Sequence, residues 1–110
     1  MGEAVKFVQT ATIPTGGALQ ISYVHDPKGK ASRVGIISTY LAAGTQTGAV
    51  SIRYGNDITN TVEIGNGTFT ANDPSVTIHP NFVIHPGQVI TIHFTTVTAG
   101  DTARIVIGGH

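Results

Sequence analysis

Residues 82–110, FVIHPGQVITIHFTTVTAGDTARIVIGGH, decide the fold of this chain. Apolar and polar side chains alternate over residues 90–95, which is the period-two pattern of a strand with one buried face. Residues 99–101, Ala-Gly-Asp, give a turn signal before a second apolar run at residues 104–107. The pattern predicts two antiparallel strands joined as a β-hairpin.

The same pattern of alternating strands and turns recurs upstream, with turn signals at intervals of roughly 8–12 residues. Valine, isoleucine and threonine dominate, and their branched β-carbons favour strands. Further strands are predicted at residues 5–13, 19–23, 33–40, 50–54, 58–64 and 76–78. Residues 82–84 are either an extra short strand or the lead into a turn at Pro86-Gly87. Turns are predicted at residues 14–17, 55–57 and 65–67, and the fourth and fifth strands are predicted to pair as a hairpin.

No segment shows the periodicity of an amphipathic helix. A chain of 110 residues is long enough for one core, and no linker marks a second domain. We therefore predict an all-β fold, with residues 1–110 forming a single β-sandwich domain. About eight antiparallel strands are expected, in jelly-roll or related Greek-key order.

Charge is scarce, because charged residues make up 11% of the chain and the formal net charge is zero. Soluble domains average about 25% charged residues. A weakly charged surface favours association, so we expect a homo-oligomer or a surface covered by a larger partner. A monomer coated with threonine, serine and asparagine is the alternative that composition leaves open.

Several partners and locations are disfavoured by the same composition. The six basic residues are scattered, so neither nucleic acid nor an anionic membrane surface is expected as a partner. No apolar run approaches the roughly 20 residues of a membrane helix, and no signal peptide is visible at the N-terminus. There is no cysteine, which excludes disulfides and thiolate chemistry.

Three histidines, His79, His85 and His93, lie within fifteen residues and suggest imidazole chemistry. No His-x-His pair occurs, and no acidic residue lies between positions 73 and 101 to complete a metal shell. We therefore predict no metal site and no cofactor. His93 falls in the polar phase of its strand, so the three histidines are instead a candidate interface that protonates near pH 6 and switches assembly.

A sugar-binding platform is the other candidate site. Carbohydrate-binding modules are common small β-sandwiches, and they hold sugar faces against exposed aromatic rings. The chain has no tryptophan, so Tyr23, Tyr40 and Tyr54 are the candidate rings. Each falls near a strand end, where a half-buried ring with a solvated hydroxyl is equally ordinary.

No catalytic residues are predicted. The six acidic residues mostly fall at turns, where a carboxylate caps the backbone. No serine or threonine stands in a recognisable nucleophile–base pattern, and no glycine-rich segment opens a helix as a phosphate cradle does. The chain is therefore predicted not to be an enzyme, and a cupin-like metal-dependent enzyme ranks third among the functional hypotheses.

Short strands throughout, few charges, no cysteine and abundant threonine and glycine resemble the small jelly-roll or sandwich proteins that decorate tailed-phage capsids. The resemblance implies a non-enzymatic structural subunit that forms oligomers, often trimers, on a protein lattice at the virion surface. Lys6 and Val8 leave the edge of the first strand available for pairing with a neighbour. The leading alternative is a small carbohydrate- or ligand-binding module.

Overall fold

The computed structural model describes residues 4–42, 47–70 and 72–109. The predicted connection at residues 42–48 falls mostly outside these ranges. No helix within them is long and apolar enough to cross a membrane. The described residues form ten strands: β1 (Ala4–Thr12), β2 (Leu19–Val24), β3 (Ser32–Val34), β4 (Ile36–Leu41), β5 (Gly48–Asp57), β6 (Asn60–Phe69), β7 (Ser75–Ile78), β8 (Phe82–Ile84), β9 (Val89–Thr95) and β10 (Thr102–Gly109).

Two four-stranded antiparallel sheets make up the sandwich. The order in the first, called sheet A, is β1-β10-β4-β7, and the order in the second, called sheet B, is β2-β9-β5-β6. The short strands β3 and β8 form a separate two-stranded ribbon. The predicted all-β sandwich is thus confirmed.

Strand pairing is nested from the termini inward. The first strand pairs with the last, β2 with β9, β3 with β8, β4 with β7, and β5 with β6. The chain is therefore one long antiparallel hairpin that is folded over to make two sheets. Of the two predicted strand orders, this is the jelly roll.

The predicted hairpin of residues 90–107 is wrong, because β9 belongs to sheet B and β10 to sheet A. The connection between them bonds to the β1–β2 connection instead. Val97 N–H donates to the Gly17 carbonyl at 3.0 Å, and Gly100 N–H donates to the Ile13 carbonyl at 2.9 Å. An alternating pattern shows only that each strand buries one face. Two strands in opposite sheets, with the core between them, satisfy the pattern as well as two strands paired side by side.

The hairpin of β5 and β6 is confirmed, although its turn lies later than residues 55–57. The strands extend to Asp57 and Asn60, so the turn falls at residues 58–59. The Asp57 carboxylate accepts hydrogen bonds from the Thr59 hydroxyl at 2.7 Å and the Asn60 side-chain amide at 2.8 Å. These bonds, with weaker ones from the backbone, lower the pKa of Asp57 to about 2.

The predicted turn at residues 65–67 is wrong, since the Gly-Asn-Gly sequence lies inside β6. A β-carbon on Gly65 would lie 2.7 Å from Ile78 Cδ1, and one on Gly67 would lie 2.8 Å from Val76 Cγ1. Both neighbours belong to β7. The two glycines therefore allow β6 and β7, the edge strands of the two sheets, to approach closely, and they do not form a turn.

The predicted strand at residues 33–40 divides at Gly35 into β3 and β4. Gly35 N–H donates to the Gly108 carbonyl of β10 at 2.8 Å, which ties the break to sheet A. Of the two alternatives for residues 82–84, the structure has the short strand, β8, which pairs with β3.

The core fills the space between the two sheets and is built mainly from isoleucine. Its largest fully buried side chains include Ile37, Ile52, Ile90, Ile92, Ile105, Ile107, Phe69 and Phe94. Because strand side chains alternate, every second residue of these strands points to an outer face. Those two outer faces are where a binding site can lie.

Candidate ligand-binding face

The outer face of sheet A carries a shallow depression. Arg104 of β10 lies opposite Tyr40 of β4, and Tyr40 lies opposite Ser75 of β7. In the adjacent row, Val106 lies opposite Ser38. These five residues line a depression of about 250 Å³, which we call the Tyr40 depression.

The aromatic ring of Tyr40 is exposed in this depression. The side chain is 42% exposed, in contrast to the buried Leu41 that follows it. Within the described residues its ring makes no aromatic contact and its hydroxyl makes no hydrogen bond. An exposed ring with an apolar face and an unsatisfied hydroxyl suits a ligand that has both apolar and polar edges.

Arg104 contributes a positive charge to the same depression. Arg33 donates to Asn81 Oδ1 at 2.6 Å, and Arg53 donates to Thr61 Oγ1 at 3.0 Å. The Arg104 guanidinium has no hydrogen-bond or ion-pair partner in the part of the chain that the structure describes. Its five N–H donors therefore face solvent and are available to a ligand.

Hydroxyl groups complete the lining of the Tyr40 depression. The Ser38 and Thr77 hydroxyl oxygens are 2.9 Å apart, and Ser75 Oγ donates to Asp73 Oδ1 at 3.3 Å. Each hydroxyl oxygen keeps capacity to accept a further hydrogen bond. The arrangement combines an aromatic surface, a guanidinium and hydroxyls, which is suitable chemistry for a polyhydroxylated ligand.

The structure does not bring the three candidate tyrosines together. Tyr23 and Tyr54 belong to sheet B, where both lie opposite Ile90 and pack against the core. The Tyr23 hydroxyl lies 2.7 Å from His25 Nδ1, and the Tyr54 hydroxyl donates to Gln88 Oε1 at 2.5 Å. Burial, with a smaller effect of the nearby Asp26 charge, raises the pKa of Tyr23. Tyr40 is thus the one tyrosine whose ring is presented on an outer face.

The three candidate histidines are also placed apart. His79 and His85 are exposed just after β7 and β8, whereas His93 is half-buried on the outer face of sheet B. No three histidine, aspartate or glutamate side chains in the described ranges form a group that could hold a metal ion. Burial and then the charge of Arg53 lower the pKa of His93, so it protonates at a lower pH than an ordinary histidine.

His25, to which the sequence pattern gives no role, is a buried structural histidine that is 9% exposed. Its Nε2 lies 2.6 Å from the Lys30 carbonyl, which can only accept, so Nε2 carries the proton. Nδ1 then accepts from the Tyr23 hydroxyl. These bonds fix the loop between β2 and β3. The sequence pattern cannot distinguish a buried structural histidine at a strand end from an exposed one.

The outer face of sheet B is polar, but most of its polar side chains hydrogen-bond to one another. Glu63 accepts from Ser51 Oγ at 2.6 Å and from Asn66 Nδ2 at 2.9 Å. Hydrogen bonding from Ser51 and then Asn66 lowers the pKa of Glu63. Arg53 is occupied by Thr61. With so many of its groups already paired, this face is a weaker candidate than the Tyr40 depression.

The sequence matches no known protein family, and no curated protein resembles it significantly in sequence. Solved structures resemble it in fold. The carbohydrate-binding module CBM32 of AlyQ, solved in complex with 4,5-unsaturated mannuronic acid, gives a TM-score of 0.58 at 16% identity, covering 100% of this chain and 99% of that chain.

Two further structures have the same fold. The Yersinia pseudotuberculosis-derived mitogen gives a TM-score of 0.57 at 12% identity, covering 98% of this chain and 87% of that chain. The pre-peptidase C-terminal domain of collagenase from Bacillus anthracis gives a TM-score of 0.51 at 14% identity, covering 94% of this chain and 88% of that chain. At these identities the likeness concerns architecture: this chain shares the β-sandwich fold of these domains.

Proposed function

We propose that this chain is a non-catalytic carbohydrate-binding module that holds a sugar on the outer face of sheet A. One observation carries the proposal: the exposed Tyr40 ring stands beside Arg104 in the Tyr40 depression, and neither side chain has a partner among the residues that the structure describes. The C–H face of a pyranose packs on an aromatic ring, while its hydroxyls need donors and acceptors around it. The Tyr40 depression supplies both.

The size of the depression suits one sugar ring. Pockets for drug-sized molecules measure about 300–1,000 Å³, and the Tyr40 depression is smaller, at about 250 Å³. It lies on an open sheet face, so a longer chain of sugars has room to extend beyond it. A domain of the same fold is named as a carbohydrate-binding module, which supports the proposal.

Tyr40→Ala is expected to weaken sugar binding about 30-fold, because a central aromatic anchor contributes roughly 2 kcal/mol to binding. A glycan array identifies the sugar, and isothermal titration calorimetry then compares the wild-type and variant proteins. Val83→Ala is the matched control, since Val83 is 41% exposed against 42% for Tyr40 and lies on the separate ribbon. Full affinity in the Tyr40 variant would exclude this depression as the binding site.

The proposal involves no reaction. The Asp26 carboxylate accepts from Lys28 N–H at 2.9 Å and so caps the backbone, whereas the Asp73 carboxylate accepts from the Ser75 hydroxyl at 3.3 Å. A cupin-like metal enzyme finds no support in residues 4–42, 47–70 and 72–109, where no group of metal-binding side chains assembles.

We propose a structural subunit as the second candidate function. In this role the chain would form a homo-oligomer, such as a trimer that decorates a capsid lattice at the virion surface. Strand β1 is an edge of sheet A, and its Val5 and Val8 side chains are 65% and 47% exposed. Exposed valines on an unpaired edge, with little net charge, favour contact with another subunit.

Val5→Lys is expected to shift the protein from oligomer towards monomer, because a charge on a sheet edge opposes strand pairing. Sedimentation velocity over a hundredfold concentration range at pH 7.5 measures this. Val62→Lys is the control, since Val62 is also 65% exposed but lies on an edge of sheet B. Repeating the runs at pH 5.5 tests the histidines as a switch. A wild-type monomer at every concentration would rule out the structural role.

A further inference from the structure

Arg104 stands among uncharged neighbours on the outer face of sheet A. Thr10 of β1 and Tyr40 of β4 lie opposite Arg104 on its two sides, and Ser75 of β7 follows Tyr40 in the same row. None of these residues is acidic. Asp73, just before β7, accepts from Ser75 and forms no ion pair with Arg104 within the described ranges. The positive charge is therefore not neutralised by any of the described residues.

We infer that the Tyr40 depression takes a carboxylate-bearing sugar, a uronic acid, with Arg104 as the residue that determines specificity. This inference rests on the proposed sugar-binding function. The planar guanidinium fork matches a carboxylate with two parallel N–H···O bonds, which a neutral hydroxymethyl group cannot form. The ring of the sugar lies on Tyr40, and its hydroxyls face Ser38 and Ser75.

The position of Arg104 supports recognition more than folding. Its side chain is exposed on the outer face, whereas its chain neighbours Ala103 and Ile105 are fully buried in the core. No described group holds the guanidinium in place. Removing its charge should therefore leave stability nearly unchanged, so that a change in binding reports on the ligand.

Titration calorimetry with uronic acid trisaccharides tests the inference. The matched neutral ligand is the methyl ester of the same trisaccharide, which keeps every ring atom and removes the charge. We expect the acid to bind about 10- to 100-fold more tightly than the ester, as for a charge-assisted hydrogen-bonded pair. Arg104→Gln should abolish this difference, and Arg104→Lys should restore only part of it because lysine lacks the fork. Arg33→Gln, an arginine engaged by Asn81, is the control and should bind like the wild type.

The outcomes separate the two proposals. If acid and ester bind equally, and Tyr40→Ala weakens both while Arg104→Gln weakens neither, sugar binding stands and the carboxylate inference fails. If a sulfated neutral-sugar trisaccharide binds more tightly than the uronic acid, the ligand class assigned here is wrong. If no sugar binds, the proposed function fails and this inference falls with it. Binding of the acid should also weaken as salt increases, because the site is open to solvent.

Discussion

Phe94→Ala should lower the free energy of unfolding by about 3–5 kcal/mol, which is the usual cost of replacing a buried phenylalanine by alanine. Phe94 is 1% exposed, and its ring stacks on Phe69 with the centroids 5.9 Å apart. The substitution leaves a cavity between the sheets that their side chains only partly fill. Domains of ordinary size have about 5–15 kcal/mol of stability in total, so the variant is expected to be close to unfolding.

Urea denaturation followed by circular dichroism measures this loss. Val83→Ala serves again as the reference, because an exposed valine on the β3–β8 ribbon should cost less than about 0.5 kcal/mol. A loss below about 1 kcal/mol for Phe94→Ala would mean that Phe94 does not pack between the sheets. If the variant is too unstable to purify, Phe94→Leu gives the same test with a smaller cavity.

Gly55→Ala is expected to cost roughly 3 kcal/mol through a clash of backbone rather than a cavity. A β-carbon at this position would lie 1.8 Å from the Asn60 carbonyl oxygen and 2.7 Å from Thr61 Cα. These atoms belong to the paired strand β6 next to an irregularity in the register, so the hairpin must open to admit the methyl group. The same denaturation experiment measures the effect.

Gly65→Ala is the matched control for this prediction. Gly65 lies in the same strand pair, but an added β-carbon there meets the Ile78 side chain, the nearest atom being Cδ1 at 2.7 Å. Ile78 Cγ2 would also lie 3.0 Å away, but a side chain shifts more easily than backbone, so we expect a smaller loss of about 1 kcal/mol. Equal losses for the two variants would show that the approach of Asn60 to Gly55 is not as close as the structure indicates.

Much of the fold follows from local pattern. Alternation places Ile90 and Ile92 inside and His93 outside, and the exposures of these residues agree. The turn sequence near Asp57 is enough to predict that β5 and β6 pair. The Gly-Asn-Gly run at residues 65–67 misleads, because a glycine that makes room for a neighbouring strand looks the same in sequence as one that permits a turn.

The candidate site follows from sequence only in part. Tyr40 is among the three tyrosines that composition singles out, but pattern alone cannot separate it from Tyr23 and Tyr54. All three lie near strand ends, and only the packing shows that two of them close the core. The alternation of β10 indicates that Arg104 faces outward. It does not indicate which residues stand beside it.

The sequence by itself determined most of the strands, the buried face of those that alternate and the local β5–β6 hairpin, because a period of two and a short turn are local properties. Only the tertiary structure decided that β4 lies between β10 and β7, which places Tyr40 next to Arg104 and Ser75. It also decided that β9 and β10 lie in opposite sheets. The physical reason is that alternation fixes which face of a strand is buried but not which strand pairs beside it. The pairing is decided when all the strands fold together into two sheets around one core.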